Sequence, residues 1–208
     1  MSLRSASGEL ALLHPVMADL VATHGPCRLG GSRPDREADR FTALANSIVY
    51  QQLAGRAAAA IWARVRLLVD GPFTAEAVLA LSEAQLRGAG LSGSKAASLH
   101  DLAAKVVAGQ VRLARIGRLP DDDVVAELIQ VRGIGPWTAH MFLIFTLKRQ
   151  DVWPIGDLGV RAGYARAFGL TAVPTPAELD ALGEAFRPYR SLAAWYLWRV
   201  IDVKTPAP

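Results

Sequence analysis

Residues 131–141 read V-R-G-I-G-P-W-T-A-H-M. Two glycines, a proline and a tryptophan lie within five positions, 133–137, of a chain otherwise rich in alanine and leucine. Glycine and proline cost a helix stability unless the backbone needs them. Upstream, "LPDDDVVAELI" at 119–129 sets three aspartates before an apolar run. That order suits a helix N-terminus, through capping and the macrodipole. It predicts a helix from Asp122 to Ile129 that ends before Gly133. A second helix begins at Pro136, whose missing N–H the first turn would leave unpaired anyway. Glycines at 133 and 135 permit a tighter turn than residues bearing a Cβ usually allow. Helices joined in this way present backbone N–H groups at a positive helix N-terminus, which binds a phosphate without any charged side chain. An ordinary packing corner between two helices carries the same G-x-G.

The flanks read as helix throughout, because alanine and leucine dominate and β-branched alternation is scarce. Pro15 opens a short amphipathic helix over 14–24, and "GPCRLGGSRPD" (25–35) follows it as a linker. Two helices meet at "YQQLAG" (50–55): Phe41, Leu44, Ile48 and Val49 carry the spacing before it, and Ile61, Val65 and Leu68 after it. Ser82 with Gln85 forms a capping-box spacing, and Gly88, Gly90 and Gly93 read as stops before a helix from about Lys95 to Val107. Thr175-Pro176-Ala177-Glu178 starts another helix, and "RSLAAWYLWRVI" (190–201) is the last. No repeat of solenoid period occurs, and the only low-complexity stretch is the terminal "TPAP".

At 208 residues the chain is expected to form one large domain or two interlocked lobes. The longest apolar run, Met141 to Leu147, has the length of a buried core segment and is too short for a membrane span. Glu9, His14 and Asp19 interrupt the N-terminal apolar stretch, so no leader pattern is expected. Cys27 is the single cysteine, which excludes an intramolecular disulfide, a cysteine-ligated zinc and an iron–sulfur cluster. A net charge of +4 suits an anionic partner such as nucleic acid, but many proteins without one share it.

Beyond the opening stretch, "GDLGV" (156–160) places Asp157 before a helix whose apolar face includes Leu158, Ala162, Ala165 and Phe168. By itself such an aspartate reads as an N-cap. Together, however, "VRGIGPWTA" and "GDLGV" resemble the helix-hairpin-helix DNA glycosylases, specifically the 3-methyladenine DNA glycosylase II (AlkA-like) branch. That family shows L-x-G-[IV]-G-x-x-T-A and, further on, an aspartate before L-G-[LV]. "IVYQQLAGRAAA", "LRGAGLSGSKAASL" and "YRSLAAWYLW" add three matches in the family's order, so the resemblance runs from about 37 to 201.

The resemblance implies an all-α fold of two helical lobes with the active cleft between them. Residues 39–150 would form the hairpin-bearing lobe, and 151–208 the C-terminal lobe with the catalytic aspartate. Residues 1–38, a helix and linker, would pack with the latter. The expected reaction is excision of alkylated purines (3-methyladenine-like) from duplex DNA by base flipping. Asp157, its anion favoured by the helix dipole, would stabilise the oxocarbenium-like sugar and guide water. Trp137, Trp198, Met141 and Tyr50 would line the base pocket, with Asp157 facing Trp137. Met141 stands where an aromatic residue is common in the family, which leaves substrate preference open. Leu53 would be the wedge that fills the vacated stack, with Gln52 against the opposite strand. Read without the resemblance, Leu53 is an ordinary core leucine and the glutamines are surface residues.

Phosphate contacts would come from Gly133, Ile134, Gly135 and Thr138, and from Arg132, which replaces the family's usual proline. Family members that also cut the strand carry a lysine directly before T-A. Here that position is Trp137, which implies a monofunctional enzyme without AP-lyase activity. No cofactor is required. Hairpins of this family can hold a monovalent or divalent cation on backbone carbonyls, at positions matching Ile129, Val131 and Ile134. Trp62, Trp195 and Tyr196 read as core, and His100 and His140 as structural. The family's better-known members carry an extra N-terminal α/β domain with no counterpart in these residues. The expected partner is double-stranded DNA containing damaged bases, bound by a monomer in the cytoplasm (nucleoid-associated) and not at a membrane. Two readings stay open beside this one: a glycosylase of the same fold for uracil, a deaminated purine or a mismatch, and a non-catalytic helix-hairpin-helix DNA-binding module.

Overall fold

The computed structural model describes residues 2–29, 34 and 36–201. Residues 30–33 and 35 of the expected 25–35 linker, and the terminal "TPAP", lie outside them. The described residues form twelve α-helices and no strand: α1 (Leu3–Leu13), α2 (Pro15–His24), α3 (Glu37–Tyr50), α4 (Gly55–Arg66), α5 (Ala75–Leu79), α6 (Glu83–Gly88), α7 (Gly93–Val107), α8 (Asp121–Leu128), α9 (Pro136–Met141), α10 (Leu158–Ala167), α11 (Pro176–Gly183) and α12 (Arg190–Val200). None is long and apolar enough to cross a membrane. The all-α class expected from composition and resemblance is the class observed.

Local chemistry explains most boundaries. Ser82 and Gln85 close a reciprocal capping box on α6, and Thr175 and Glu178 do the same on α11. Gly93 departs from its expected role as a stop. It is the first residue of α7, where the Ser92 hydroxyl accepts the Lys95 N–H and makes the start. Ahead of the helix expected at 14–24 stands α1, capped by Ser2 and burying Ala6 and Leu10. That spacing signals a helix, although Glu9 breaks the apolar run.

The chain divides into two compact units, one of residues 34–142 and the other of the segments before and after it. The hairpin-bearing unit therefore ends at 142 and not at 150. The apolar run beyond it serves the other unit, where Phe145 stacks on Trp198 with ring centroids 5.8 Å apart. The run's first turn, Phe142–Thr146, is π-helical, a local widening that re-aims side chains.

In the hairpin unit, Phe41, Leu44 and Ile48 of α3 and Leu99 and Leu102 of α7 are buried, and α7 packs against α3, α5 and α6. In the other unit, α12 is buried all round, from Leu192 to Trp198, and packs against α1, α2 and α10. A helix with apolar residues on every side belongs at the centre of its unit.

Glycines allow α10 to approach α12 closely. A Cβ on Gly163 would lie 2.2 Å from the Leu197 carbonyl oxygen, and one on Gly159 would lie 2.9 Å from Trp198 Cδ1. Leu158, expected on the apolar face of α10, is 67% exposed. The face that α10 buries is built from Val160, Gly163, Tyr164 and Ala165.

Candidate active site

The two hairpin glycines differ in what they do. Gly133 has φ +78, and a Cβ there would lie 2.7 Å from Ser98 Oγ, so the fold itself requires glycine. Gly135 has φ −100 and ψ 176, ordinary extended backbone, and a Cβ there would meet no heavy atom within 4 Å. The turn does not need that glycine, which corrects the expectation that both serve its tightness. A bare Cα facing open space suits close approach of a ligand to the backbone.

The donors of the hairpin are also sorted. The Arg132 N–H donates to Asp101 Oδ2 at 2.7 Å, and the Ile134 N–H donates to the Val131 carbonyl at 3.0 Å. Neither backbone group is left for a phosphate, so Ile134 drops out of the expected set and Arg132 could contribute only its side chain. The N–H groups of Gly133, Gly135 and Thr138 make no hydrogen bond among the described residues. Burial pushes the Asp101 carboxyl up, but the Arg132 N–H and the Lys105 ammonium outweigh it and hold the group below its ordinary value. The hairpin is thus braced from α7 by an ionised carboxylate.

The turn between α3 and α4 carries Leu53, 38% exposed, its N–H donating to the Tyr50 carbonyl at 3.3 Å. Gln52 before it has φ +55, a left-handed conformation uncommon outside glycine. Leu53 is therefore a partly exposed apolar side chain on a turn, and not a core leucine.

Asp157 is the N-cap of α10 and only 7% exposed. Its Oδ1 accepts the Val160 N–H at 2.8 Å and the Trp198 indole N–H at 2.9 Å. A turn in which the Asp157 N–H donates to the Pro154 carbonyl delivers it. That turn is anchored by Trp153, whose ring N–H donates to the Leu179 carbonyl at 2.7 Å. Two donors on one oxygen, with the helix's positive end behind it, compensate a buried anion.

Trp198, expected to wall a base pocket, is 1% exposed. Its face is covered by Phe145 and its N–H is used on Asp157, so it orients the carboxylate and presents no open wall. The close approach at Gly159 and Gly163 brings it there. Of the other expected pocket residues, which belong to the hairpin unit, Trp137 is 42% exposed, Met141 is buried and Tyr50 is half-buried.

The remaining candidates are structural. Trp195 and Tyr196 are core, Trp62 packs edge-on against Phe73, and a His100 ring nitrogen lies 3.0 Å from the Leu81 carbonyl. His140 is held below the usual histidine range by burial. Burial pushes the Cys27 thiol up to about 11, which leaves it unreactive. Among the described residues no His, Cys, Asp and Glu cluster at metal-binding distance.

Two helices, α8 and α9, joined by a glycine turn with open N–H groups are a helix-hairpin-helix arrangement. The HhH-GPD superfamily of base excision DNA repair proteins matches residues 45–188, and the chain belongs to that family. It is similar to DNA-3-methyladenine glycosylase 1 of Schizosaccharomyces pombe, 34% identical over 82% of this chain and 78% of that one. Among solved structures it resembles the 3-methyladenine DNA glycosylase of the same yeast in complex with abasic DNA. That likeness has a TM-score of 0.82 and 33% identity over 94% of this chain and 95% of the other. It also resembles the DNA-3-methyladenine glycosidase of Bacillus halodurans, with a TM-score of 0.83 and 30% identity over 93% and 87%.

Proposed function

We propose that the protein is a monofunctional DNA glycosylase that removes alkylated purines, 3-methyladenine among them, from duplex DNA. The observation that carries this reading is the Asp157 carboxylate, fixed through Oδ1 by two N–H donors in a chain similar to enzymes named for that lesion. A purine alkylated at N3 is already a cationic leaving group. As its bond to C1′ breaks, the base departs with the electron pair and becomes neutral, and positive charge develops on the sugar. The Asp157 anion stabilises that charge. Water then forms the new bond to C1′ and loses its proton.

The exposed indole of Trp137 attracts a cationic base through its π face. The N–H groups of Gly133, Gly135 and Thr138 hold a backbone phosphate. The hairpin carbonyls of Ile129, Val131 and Ile134 are hard oxygen donors suited to a monovalent or divalent cation. Val131 keeps a second lone pair beyond its bond to Ile134. A bound cation would add positive charge beside the phosphate.

The test is a set of duplexes carrying single lesions: 3-methyladenine, uracil, hypoxanthine and a mismatch. Free base should appear from the alkylated duplex, and the strand should stay whole until alkali is added. Trp137 stands at the lyase position, and the hairpin unit's lysines are engaged elsewhere, Lys95 with two carbonyls and Lys105 with Asp101. Stoichiometric borohydride trapping of a protein–DNA adduct would contradict the monofunctional reading. Release from uracil or the mismatch alone would transfer the assignment to another lesion. Tight binding with no release from any duplex would reduce the protein to a binding module.

Leu53→Ala should slow excision from fully paired duplex by about tenfold, and much less from mismatched or single-stranded substrate, where there is less stacking to disrupt. Because Leu53 is exposed, its melting temperature should barely move. A large drop in melting temperature with equal losses on every substrate would make Leu53 a core residue.

A further inference from the structure

Gln51 is the residue that sequence reasoning passed over. It follows α3 directly and belongs to the turn that carries Leu53. Its side-chain Nε2 donates to the Gly133 carbonyl at 2.8 Å and reaches Thr138 Oγ1 at 3.5 Å. The amide orientation follows from chemistry, since a carbonyl only accepts and the nitrogen must face it. The Gln51 main-chain carbonyl accepts from Lys95 Nζ at 2.6 Å, and so does that of Val49. Lys95 thereby closes the negative end of α3, although burial pulls its ammonium below the usual lysine value.

Three residues one and two turns apart on α7 underlie both functional turns. Lys95 holds the Leu53 turn, Ser98 packs against Gly133, and Asp101 takes the Arg132 N–H. Residues at i, i+3 and i+6 share a helix face. Of the side chains described, Gln51 runs from one turn to the other.

We infer that Gln51 is a positioning residue that holds the Leu53 turn in register with the phosphate-binding hairpin, so that gripping the strand and inserting the leucine occur in one geometry. The inference rests on the glycosylase reading and on the assignment of Leu53 as wedge. The Gly133 carbonyl that Gln51 holds is one peptide along from the Gly133 N–H, which makes no hydrogen bond among the described residues. Losing the amide removes the side-chain tie between the two turns, while Lys95 still holds one and Asp101 the other. A carboxylate in its place would set negative charge against the carbonyl, so Gln51→Glu should be worse than Gln51→Ala.

The experiment is single-turnover excision by the full-length protein, on one alkylated base in paired and in mismatched duplex. It compares wild type with Gln51→Ala, Gln51→Glu, Leu53→Ala and the double variant Gln51→Ala/Leu53→Ala. Gln51→Ala should lower the paired rate about fivefold to tenfold, as expected for one lost hydrogen bond, and leave the mismatched rate within about twofold. The double variant should be no slower on paired duplex than Leu53→Ala alone, because without the leucine there is nothing to keep in register. Gln51→Glu should fall below Gln51→Ala.

Gln51→Ala at the wild-type rate, equal losses on both duplexes, or multiplicative losses in the double variant would each overturn the inference. Wild-type protein that released no base would instead overturn the glycosylase reading, which separates the two failures. A melting curve for each variant keeps a folding defect from imitating the result: a fall in stability lowers both rates together and counts against register.

Discussion

Gly133→Val should cost the protein its fold and its DNA binding together, whereas Gly135→Val should cost DNA binding alone. Valine at φ +78 occupies a region that β-branched residues avoid, and its Cβ would meet Ser98 Oγ at 2.7 Å. A loss of about 2–4 kcal/mol follows from strain and overpacking. At Gly135 the backbone is extended and the space is open, so the stability loss should stay below about 1 kcal/mol, the cost of a poorer N-cap. The valine methyls would nevertheless stand where a phosphate must approach the Gly135 and Thr138 N–H groups. Affinity should fall at least about tenfold for lesion-bearing and intact duplex alike, because phosphate contacts carry no base information. Melting curves and duplex titrations of both variants decide it. Gly135→Val binding as wild type would remove the hairpin from the DNA interface, and a loss confined to lesion duplex would place it in the base pocket.

Asp157→Asn should leave a folded, DNA-binding protein whose base release falls by about a thousandfold or more, in the range seen when a preorganised electrostatic contact is removed. Asparagine keeps an oxygen for the Val160 and Trp198 N–H donors and caps a helix as well as aspartate. Stability should therefore change by less than about 0.5 kcal/mol. What the substitution removes is the negative charge that the proposed chemistry requires. Excision at the wild-type rate would return Asp157 to the role of a cap.

Much of this was legible in the sequence, for physical reasons. Capping boxes and apolar periodicity are local, so the starts of α6 and α11 and the paired helices around "YQQLAG" stand in the letters. The fold class was legible too, and so was the place of Asp157 as a cap at the start of α10. What was not legible depends on contacts between distant segments. Pro136 biases Gly135 toward the extended backbone it adopts, but the closeness of Ser98 that excludes a Cβ at Gly133 comes from another helix. Trp198 was expected as a pocket wall because it stands at one of the family's aromatic positions, while its bond to Asp157 depends on the close α10–α12 approach. The spacing of Gly159 and Gly163, four apart on one helix, was the available signal for that approach. Gln51 escaped notice because a glutamine in a turn reads as surface until its amide is seen on a carbonyl 82 positions away.

The central claim is that Asp157 drives hydrolytic release of an alkylated purine. Its most direct measurement is chromatography of free base from a duplex carrying one 3-methyladenine, with enzyme in excess and strand integrity followed in the same tube. The account predicts stoichiometric 3-methyladenine in solution, a strand that breaks only in alkali, and a matching Asp157→Asn reaction that binds the duplex and releases almost nothing. Wild-type protein that binds this duplex and leaves its base in place, or an Asp157→Asn protein that releases it as fast, would contradict the account.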